Sequence, residues 1–483
     1  MPGFQYPSAA LPVVKHEDPR MRDDRRTTPP SFWLDDVSES PALRPALDGD
    51  IDADVAIVGA GFTGLWTAYY LLLHDPNCRV TVIDAKSAGY GASGRNGGFC
   101  DGIVHGLACV LRRDRDGAIA LWRALFDAVD EVGRVARERG LDFGYDKGGC
   151  LQIATERVHE ESLKRGMEDL YELGFDDRDY RWLEPDQVAS MAVLGGQPAA
   201  FYTPHAAAVQ PARVARALAT TIEGLGATVH EQTRALAIEA GCVRADRGSI
   251  SADFIVNATE AYGVGLAGRR RSIVPLYNYM VATEPLPPST WEQIGMRNRV
   301  TVADGFRDLI YLQRTADGRI AIGGRGSTYS YGSGITVRAE HNEHIFGVLH
   351  GELQRLFPSI DAKVAHRWGG VFGVPRDMTP SVGLDRDTGL AWAGGYVGSG
   401  VACANLAGRT VADLVLDRQT DRSRYPWVRA PSQRWEPEPL RWIGVSIMLR
   451  LVRLADWCDR HAPAGSGVLD RIIARIAPDW EIG

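Results

Sequence analysis

The chain has 483 residues, 45% of them hydrophobic and 24% charged, with a formal net charge of −7. That length exceeds one ordinary core and points to two or three domains of a folded, globular kind. The mild acidic excess lacks the basic stripe of a nucleic-acid binder, and no uninterrupted apolar stretch approaches the ~20 residues of a membrane-spanning helix. Residues up to about 30 are polar and without periodicity, which predicts a flexible arm, and Ser31-Phe-Trp-Leu34 is the first segment with aromatic anchors to dock on the body. Order begins at Asp54-Val-Ala-Ile-Val58, a β-branched run suited to a strand buried on both faces. Helical periodicity over 64–74 and a second buried strand, Arg79-Val-Thr-Val-Ile83, complete a βαβ unit. Helices are expected over 118–138, 158–173 and 211–225, with strands near 228–231, 235–239 and 254–257. Residues 271–330 are strand-rich, a helix follows near 340–357, and 390–416 repeats the order strand, glycine loop, helix.

The seven cysteines are odd in number and scattered, with no C-x-x-C pair, so neither a disulfide framework nor a zinc site is expected. His341 and His344 stand at i,i+3 without a third ligand and read as a solvated helix face, so no metal is assigned. With no secretory pattern at the N-terminus, a reducing cytoplasm is the expected compartment.

Chemistry enters at Gly59-Ala-Gly61-Phe62-Thr63-Gly64, a G-x-G-x-x-G set between strand and helix. The first glycine permits the tight turn, the second admits a pyrophosphate to the backbone, and the third lets helix pack on strand. Asp84 closes the second strand twenty residues on, where a carboxylate accepts ribose hydroxyls. NAD and FAD both use such a turn. A second glycine-rich loop, Gly89-Tyr-Gly-Ala-Ser-Gly-Arg-Asn-Gly-Gly98, can wrap main chain around another part of a ligand.

On these motifs, with Gly323-Gly-Arg325, Trp368-Gly-Gly370 and Gly394-Gly-Tyr-Val-Gly-Ser-Gly-Val401, the chain resembles the D-amino-acid-oxidase-like flavoproteins, nearest their γ-glutamylputrescine-oxidase-type branch, over about 32–440. The resemblance implies an α/β fold: a discontinuous Rossmann-type FAD-binding domain (51–145, 200–272 and 360–420) and an inserted β-rich α+β substrate domain (146–199 and 273–359). Residues 1–50 would be an arm and 421–483 a C-terminal helical extension. It places Gly59, Gly61, Phe62, Thr63 and Gly64 at the pyrophosphate and Asp84 at the adenosine ribose. Ser93, Gly94, Arg95, Asn96, Gly97 and Gly98 would line the flavin, and main chain near Arg234, in Glu231-Gln-Thr-Arg234, would meet the adenine. Gly395, Gly398, Ser399, Gly400 and Val401 would cap the isoalloxazine end. Gly370 stands where some relatives attach flavin through cysteine, so the FAD is expected to be noncovalent.

The activity so implied is oxidation of a carbon–nitrogen bond by hydride transfer to the flavin, giving an imine that water hydrolyses, with O2 or another acceptor taking the electrons. No acid–base residue is named. Glycine-oxidase-like relatives place a carboxylate-clamping arginine where Phe372 stands here, and sarcosine-oxidase-like relatives place a lysine near Ala402. Both departures favour a small amine without an adjacent carboxylate. Pocket candidates are Tyr279, Tyr311, Arg325, Trp368 and Phe372; Arg325 either grips a distant carboxylate or pairs with a surface acid. His105 follows the flavin loop and reads as structural. The Leu440–Trp457 stretch reads as a helix packed on its own domain, with a membrane surface or a partner as the weaker alternative. Rival readings are a dehydrogenase with a non-oxygen acceptor and a non-catalytic flavin-binding partner protein.

Overall fold

Val55 and Ile57 of the Ile51–Val58 strand point to one face of a sheet, Ala56 and Val58 to the other, and all four are buried. The computed structural model describes residues 30–37, 43–103, 105–462 and 465–476, so most of the expected N-terminal arm lies outside the described residues. The strand order is Ser381–Asp385, Leu390–Gly394, Gly248–Asn257, Ile51–Val58, Val80–Ile83, Thr228–His230. All neighbours in that path are parallel except the first pair. An antiparallel meander, Ala235–Glu239 and Cys242–Ala245, continues from the Gly248–Asn257 strand. Its apolar side chains cover the Ala56 face, while Phe62–His74, Arg115–Arg139, Pro211–Gly224 and Gly400–Val415 cover the Val55 face. The chain leaves the first strand toward one side and returns on the other, so the crevice at its carboxyl end is a topological switch point.

The second sheet has nine strands: Thr328–Tyr329, Val274–Thr283, Ile320–Gly324, Ile310–Arg314, Thr301–Asp304, Cys150–Ile153, Ala200–Thr203 and Arg181–Leu183, with Val364–Val374 also paired to Val274–Thr283. Two segments expected in the first domain therefore hydrogen-bond here instead: Ala200–Thr203 and Val364–Val374. Their backbone partners come from strands far away in sequence, which local pattern does not report. One face of this sheet packs on the Glu343–Leu356 helix, and the other turns toward the first domain.

Beyond Leu416 the chain crosses back over the second sheet. Trp435 is buried, and its indole N–H donates to the Val374 carbonyl at 2.9 Å. The Leu440–His461 helix then buries Val445, Met448, Val452 and Ala455. Arg307 gathers three carboxylates of the extension, Asp456, Asp459 and Asp470. Beside them His159, 3% exposed, lies edge-on to Phe306 at 4.2 Å. Burial pulls its pKa down from 6.5 to about 4, against the raising influence of Asp459 and Asp456. A depressed histidine contributes stability that is present above pH 6.5 and lost as pH falls through about 4. The expected result is a wild-type unfolding free energy that drops by about 3 kcal/mol more than that of His159→Gln over this window, read from urea denaturation at successive pH values.

All seven cysteines are free. Among the described residues no cluster of His, Cys, Asp and Glu could hold a metal, and no helix is long and apolar enough to cross a membrane.

Candidate functional site

The turn after Ile51–Val58 is shaped by what its glycines exclude. Gly59 has φ +112°, and a Cβ there would stand 2.5 Å from the Ala258 carbonyl oxygen. A Cβ on Gly64 would stand 2.0 Å from the Gly59 carbonyl oxygen, so helix and strand approach at backbone distance. Gly61 differs. It is the N-cap of the Phe62–His74 helix, contributes no side-chain cap, and its missing Cβ would meet only Ser93 Oγ at 3.0 Å. Ser93 Oγ accepts the Phe62 N–H at 2.9 Å. This open helix N-terminus with no Cβ in the way has the form that receives a pyrophosphate.

Asp84 follows the Val80–Ile83 strand, and its carboxyl accepts the Ala60 and Lys86 N–H groups. Burial outweighs those bonds and raises its pKa to about 6. Both main-chain groups of Arg234 are engaged with Asp246, its N–H donating to the carboxylate and its carbonyl accepting the Asp246 N–H. The adjacent main chain runs beside the acidic strand end, with Gln232 N–H on the Lys86 carbonyl and Thr233 N–H on that of Asp84.

The second glycine loop is held from outside by four side chains on four consecutive carbonyls. Ser31 Oγ donates to Gly94, Trp368 Nε1 to Arg95, Trp33 Nε1 to Asn96 and Gln313 Nε2 to Gly97, over 2.6–2.9 Å. Gly97 and Gly98 leave no room for side chains, since their Cβ atoms would fall 2.5 Å from the Tyr311 ring and 1.9 Å from Gln313 Nε2. Arg95 does not point to a ligand. Its guanidinium, 1% exposed, pairs with Glu340 at 2.8 Å and lies over the Tyr90 ring. Burial alone would lower its pKa, but Tyr262, Glu340 and Tyr90 hold it above the ordinary arginine value. Trp33 is 1% exposed and meets Trp368 edge-on. Trp33→Ala should cost about 3–5 kcal/mol in a urea melt, by loss of the ring and of the Asn96 bond together.

The third loop joins the first. Tyr396 and Thr63 hydrogen-bond through their hydroxyls at 2.9 Å. Gly395, at φ +78°, donates its N–H to Glu260 Oε1 at 3.2 Å. Ser399 precedes the Gly400–Val415 helix and lies 3.4 Å from His105 Nε2. Burial lowers the His105 pKa to about 4, so this ring is neutral. Val401 is buried in the helix core rather than presented to a ligand. Glu260 is a residue the sequence reading missed. It is held at φ +47°, faces the N–H groups of Ala261, Gly395, Gly373 and Tyr396, and has its pKa raised by burial. Nothing in the local pattern around Asn257-Ala-Thr-Glu260 signals this.

The Val364–Val374 strand passes both flavin-side loops. A Cβ on Gly370 would meet Arg95 Cβ at 3.1 Å, and Phe372 packs in a cluster with Val397 of the third loop. Register pairs Gly370 with Asn278 and Phe372 with Leu276, so these four share the face toward the loops, with Tyr311 beside Gly97. Tyr279 lies on the opposite face, its hydroxyl donating to the Ala339 carbonyl at 2.8 Å. It is a core residue; Asn278 and Leu276 occupy the place expected of it. Trp368 shares the loop face but serves to hold the Arg95 carbonyl. Arg325 is bound to Asp304 at 2.5 Å, and of its two expected readings this is the acid pairing, with a buried acid and not a surface one. Burial raises the Asp304 pKa to about 6 despite Arg325.

The residues present fit FAD on this geometry: an open helix N-terminus, an acid at the second strand end and a tightly backed glycine loop. The family model described as DAO, FAD dependent oxidoreductase, matches residues 54–414. The chain is 27% identical over 386 residues to the gamma-glutamylputrescine oxidoreductase of Escherichia coli (strain K12), covering 76% of this chain and 85% of that one. It is 25% identical over 395 residues to the probable oxidoreductase OrdL of Haemophilus influenzae, covering 79% and 86%. The crystal structure of glycine oxidase from Geobacillus kaustophilus superposes with a TM-score of 0.63 at 23% identity, over 78% of this chain and 99% of that one.

Proposed function

Because the chain belongs to the DAO family of FAD-dependent oxidoreductases, which act on amines or amino acids, we propose that it oxidises a small amine with no carboxylate beside the nitrogen and passes the electrons to O2. One observation carries the substrate class. The face that meets both flavin-side loops presents Leu276, Asn278, Tyr311 and Phe372, and the two arginines inside the family motifs, Arg95 and Arg325, pair with Glu340 and Asp304. An α-carboxylate brought to this face would lose its hydration without gaining a counter-charge.

FAD, when bound, supplies the two-electron sink, held by the Gly59–Gly64 turn, Asp84 and the 93–98 loop. The chain's own residues supply the surroundings of the amine. Leu276 and Phe372 lower the local polarity, which favours the neutral amine over the ammonium and so leaves a lone pair available as hydride departs from the adjacent carbon. Water then adds to the imine, giving an aldehyde or ketone and releasing the nitrogen fragment; O2 with two electrons and two protons gives H2O2. Gly370 offers no sulfur for a covalent link, and trichloroacetic acid is expected to release all the flavin into the supernatant.

The test is anaerobic mixing of the holoenzyme with simple diamines, γ-glutamylated diamines, N-methyl amino acids and D-amino acids, followed by admission of air. Bleaching by amines without an α-carboxylate, then peroxide, is the expected result. Bleaching by α-amino acids alone would overturn the substrate class, and recolouring without peroxide would overturn the acceptor.

A further inference from the structure

The C-terminal helices carry an apolar surface that their own domain does not use. Ile443, Ile447, Leu454 and Trp457 share the outward side of Leu440–His461 and are 43–57% exposed. Val468 and Ile472, one turn apart on Gly467–Ile476, add 64% and 40% exposure beside them. Charge on this surface is sorted by sign. The three carboxylates of the two helices, Asp456, Asp459 and Asp470, all pair with Arg307, the first two buried and the third at the rim with its side chain 42% exposed. Arg450, Arg471 and Arg475 are exposed, and none has an acidic partner among the described residues. The outer face is thus apolar and cationic on a chain whose net charge is −7.

We propose that this face docks the protein on an anionic membrane surface, both helices lying in the headgroup plane. The geometry is that of an interfacial amphipathic pair: aliphatic side chains to the acyl boundary, an indole at the polar interface and arginines to lipid phosphates. No described helix is long and apolar enough to span the bilayer, so the contact is peripheral. A second copy of the chain fits less well. An isologous dimer on this face would bring its arginines against their own copies, where the one part-exposed carboxylate described on the two helices, Asp470, is already held by Arg307, whereas anionic headgroups neutralise them. The membrane contact stands independently of the amine chemistry.

Co-sedimentation of the holoenzyme with vesicles of phosphatidylcholine, alone or mixed with phosphatidylglycerol, tests it. Binding should be at least about tenfold tighter to the mixed vesicles, and should weaken as salt is raised. The double variant Arg450→Glu with Arg471→Glu, both fully surface positions, should lose at least about tenfold in affinity while keeping its flavin absorbance. Ile447→Asp should weaken binding likewise. The proposal is overturned by equal partition onto both vesicle types, by no sedimentation with either, or by variants that bind as wild type. It is also overturned if Ile447→Asp converts a dimer to a monomer in light scattering and no vesicle binding is seen.

Discussion

Gly61→Ala is expected to give a folded protein that no longer holds FAD. The added methyl would meet only the far end of the Ser93 side chain, at 3.0 Å, so the turn and the helix behind it can form. On the other side it stands at the N-terminus of Phe62–His74, to which Gly61 offers no side chain and where we propose that the pyrophosphate reaches the backbone. Overpacking of this kind costs about 1–3 kcal/mol, or roughly 10- to 100-fold in FAD affinity. Titration of the apoprotein with FAD, followed by flavin fluorescence, gives the affinity, and circular dichroism confirms the fold. Gly64→Ala is the contrasting case. Its methyl would sit 2.0 Å from a backbone oxygen that cannot step aside, and loss of the fold itself is expected. A Gly61→Ala protein with wild-type affinity would remove the pyrophosphate from this turn.

Glu340→Ala should be the most destabilising change outside the nucleotide turn. It strips the carboxylate from Arg95, whose guanidinium is 1% exposed inside the flavin-side loop. An abandoned buried charge costs about 3–5 kcal/mol. Replacing both partners by apolar residues, Arg95→Met with Glu340→Leu, should recover most of that loss, because the penalty belongs to the unpaired charge and not to the absence of the bridge. Urea midpoints of the single and double variants decide it, and a double variant as unstable as the single would refute this account. Flavin retention should follow stability here, since the same loop carries the four carbonyls gripped by Ser31, Trp368, Trp33 and Gln313.

The reach of the sequence follows the range of the forces involved. Gly59, Gly61 and Gly64 could be read directly because their spacing between an apolar strand and a helix is a local pattern, as is the approach of Gly64 to the Gly59 carbonyl; the neighbours of Gly59 and Gly61, Ala258 and Ser93, come from far along the chain. Trp33 as an anchor was legible from its isolation in a polar arm, though not its partner, the Asn96 carbonyl sixty-three residues on. By sequence Arg325 either grips a distant carboxylate or pairs with a surface acid; its partner is the buried Asp304, which local sequence could not show because the second sheet brings the two together across the intervening Ile310–Arg314 strand.

Sequence alone determined the strand–glycine turn–helix unit and many of the expected helices and strands, all consequences of short-range periodicity and backbone sterics. Tertiary structure decided which face of each strand meets the ligand loops. Val274–Thr283 lies in a stretch legible only as strand-rich and is almost wholly buried, so only pairing with Val364–Val374 shows that Leu276 and Asn278 stand beside Phe372 and Gly370 and that Tyr279 faces the core. A one-residue change of register would exchange the two sets, since successive side chains of a strand point to opposite faces. The same holds at the C-terminus: the apolar, arginine-bearing Leu440–Trp457 helix was visible, but the pairing of Asp456, Asp459 and Asp470 with Arg307 exists only once the chain has folded back over the second sheet.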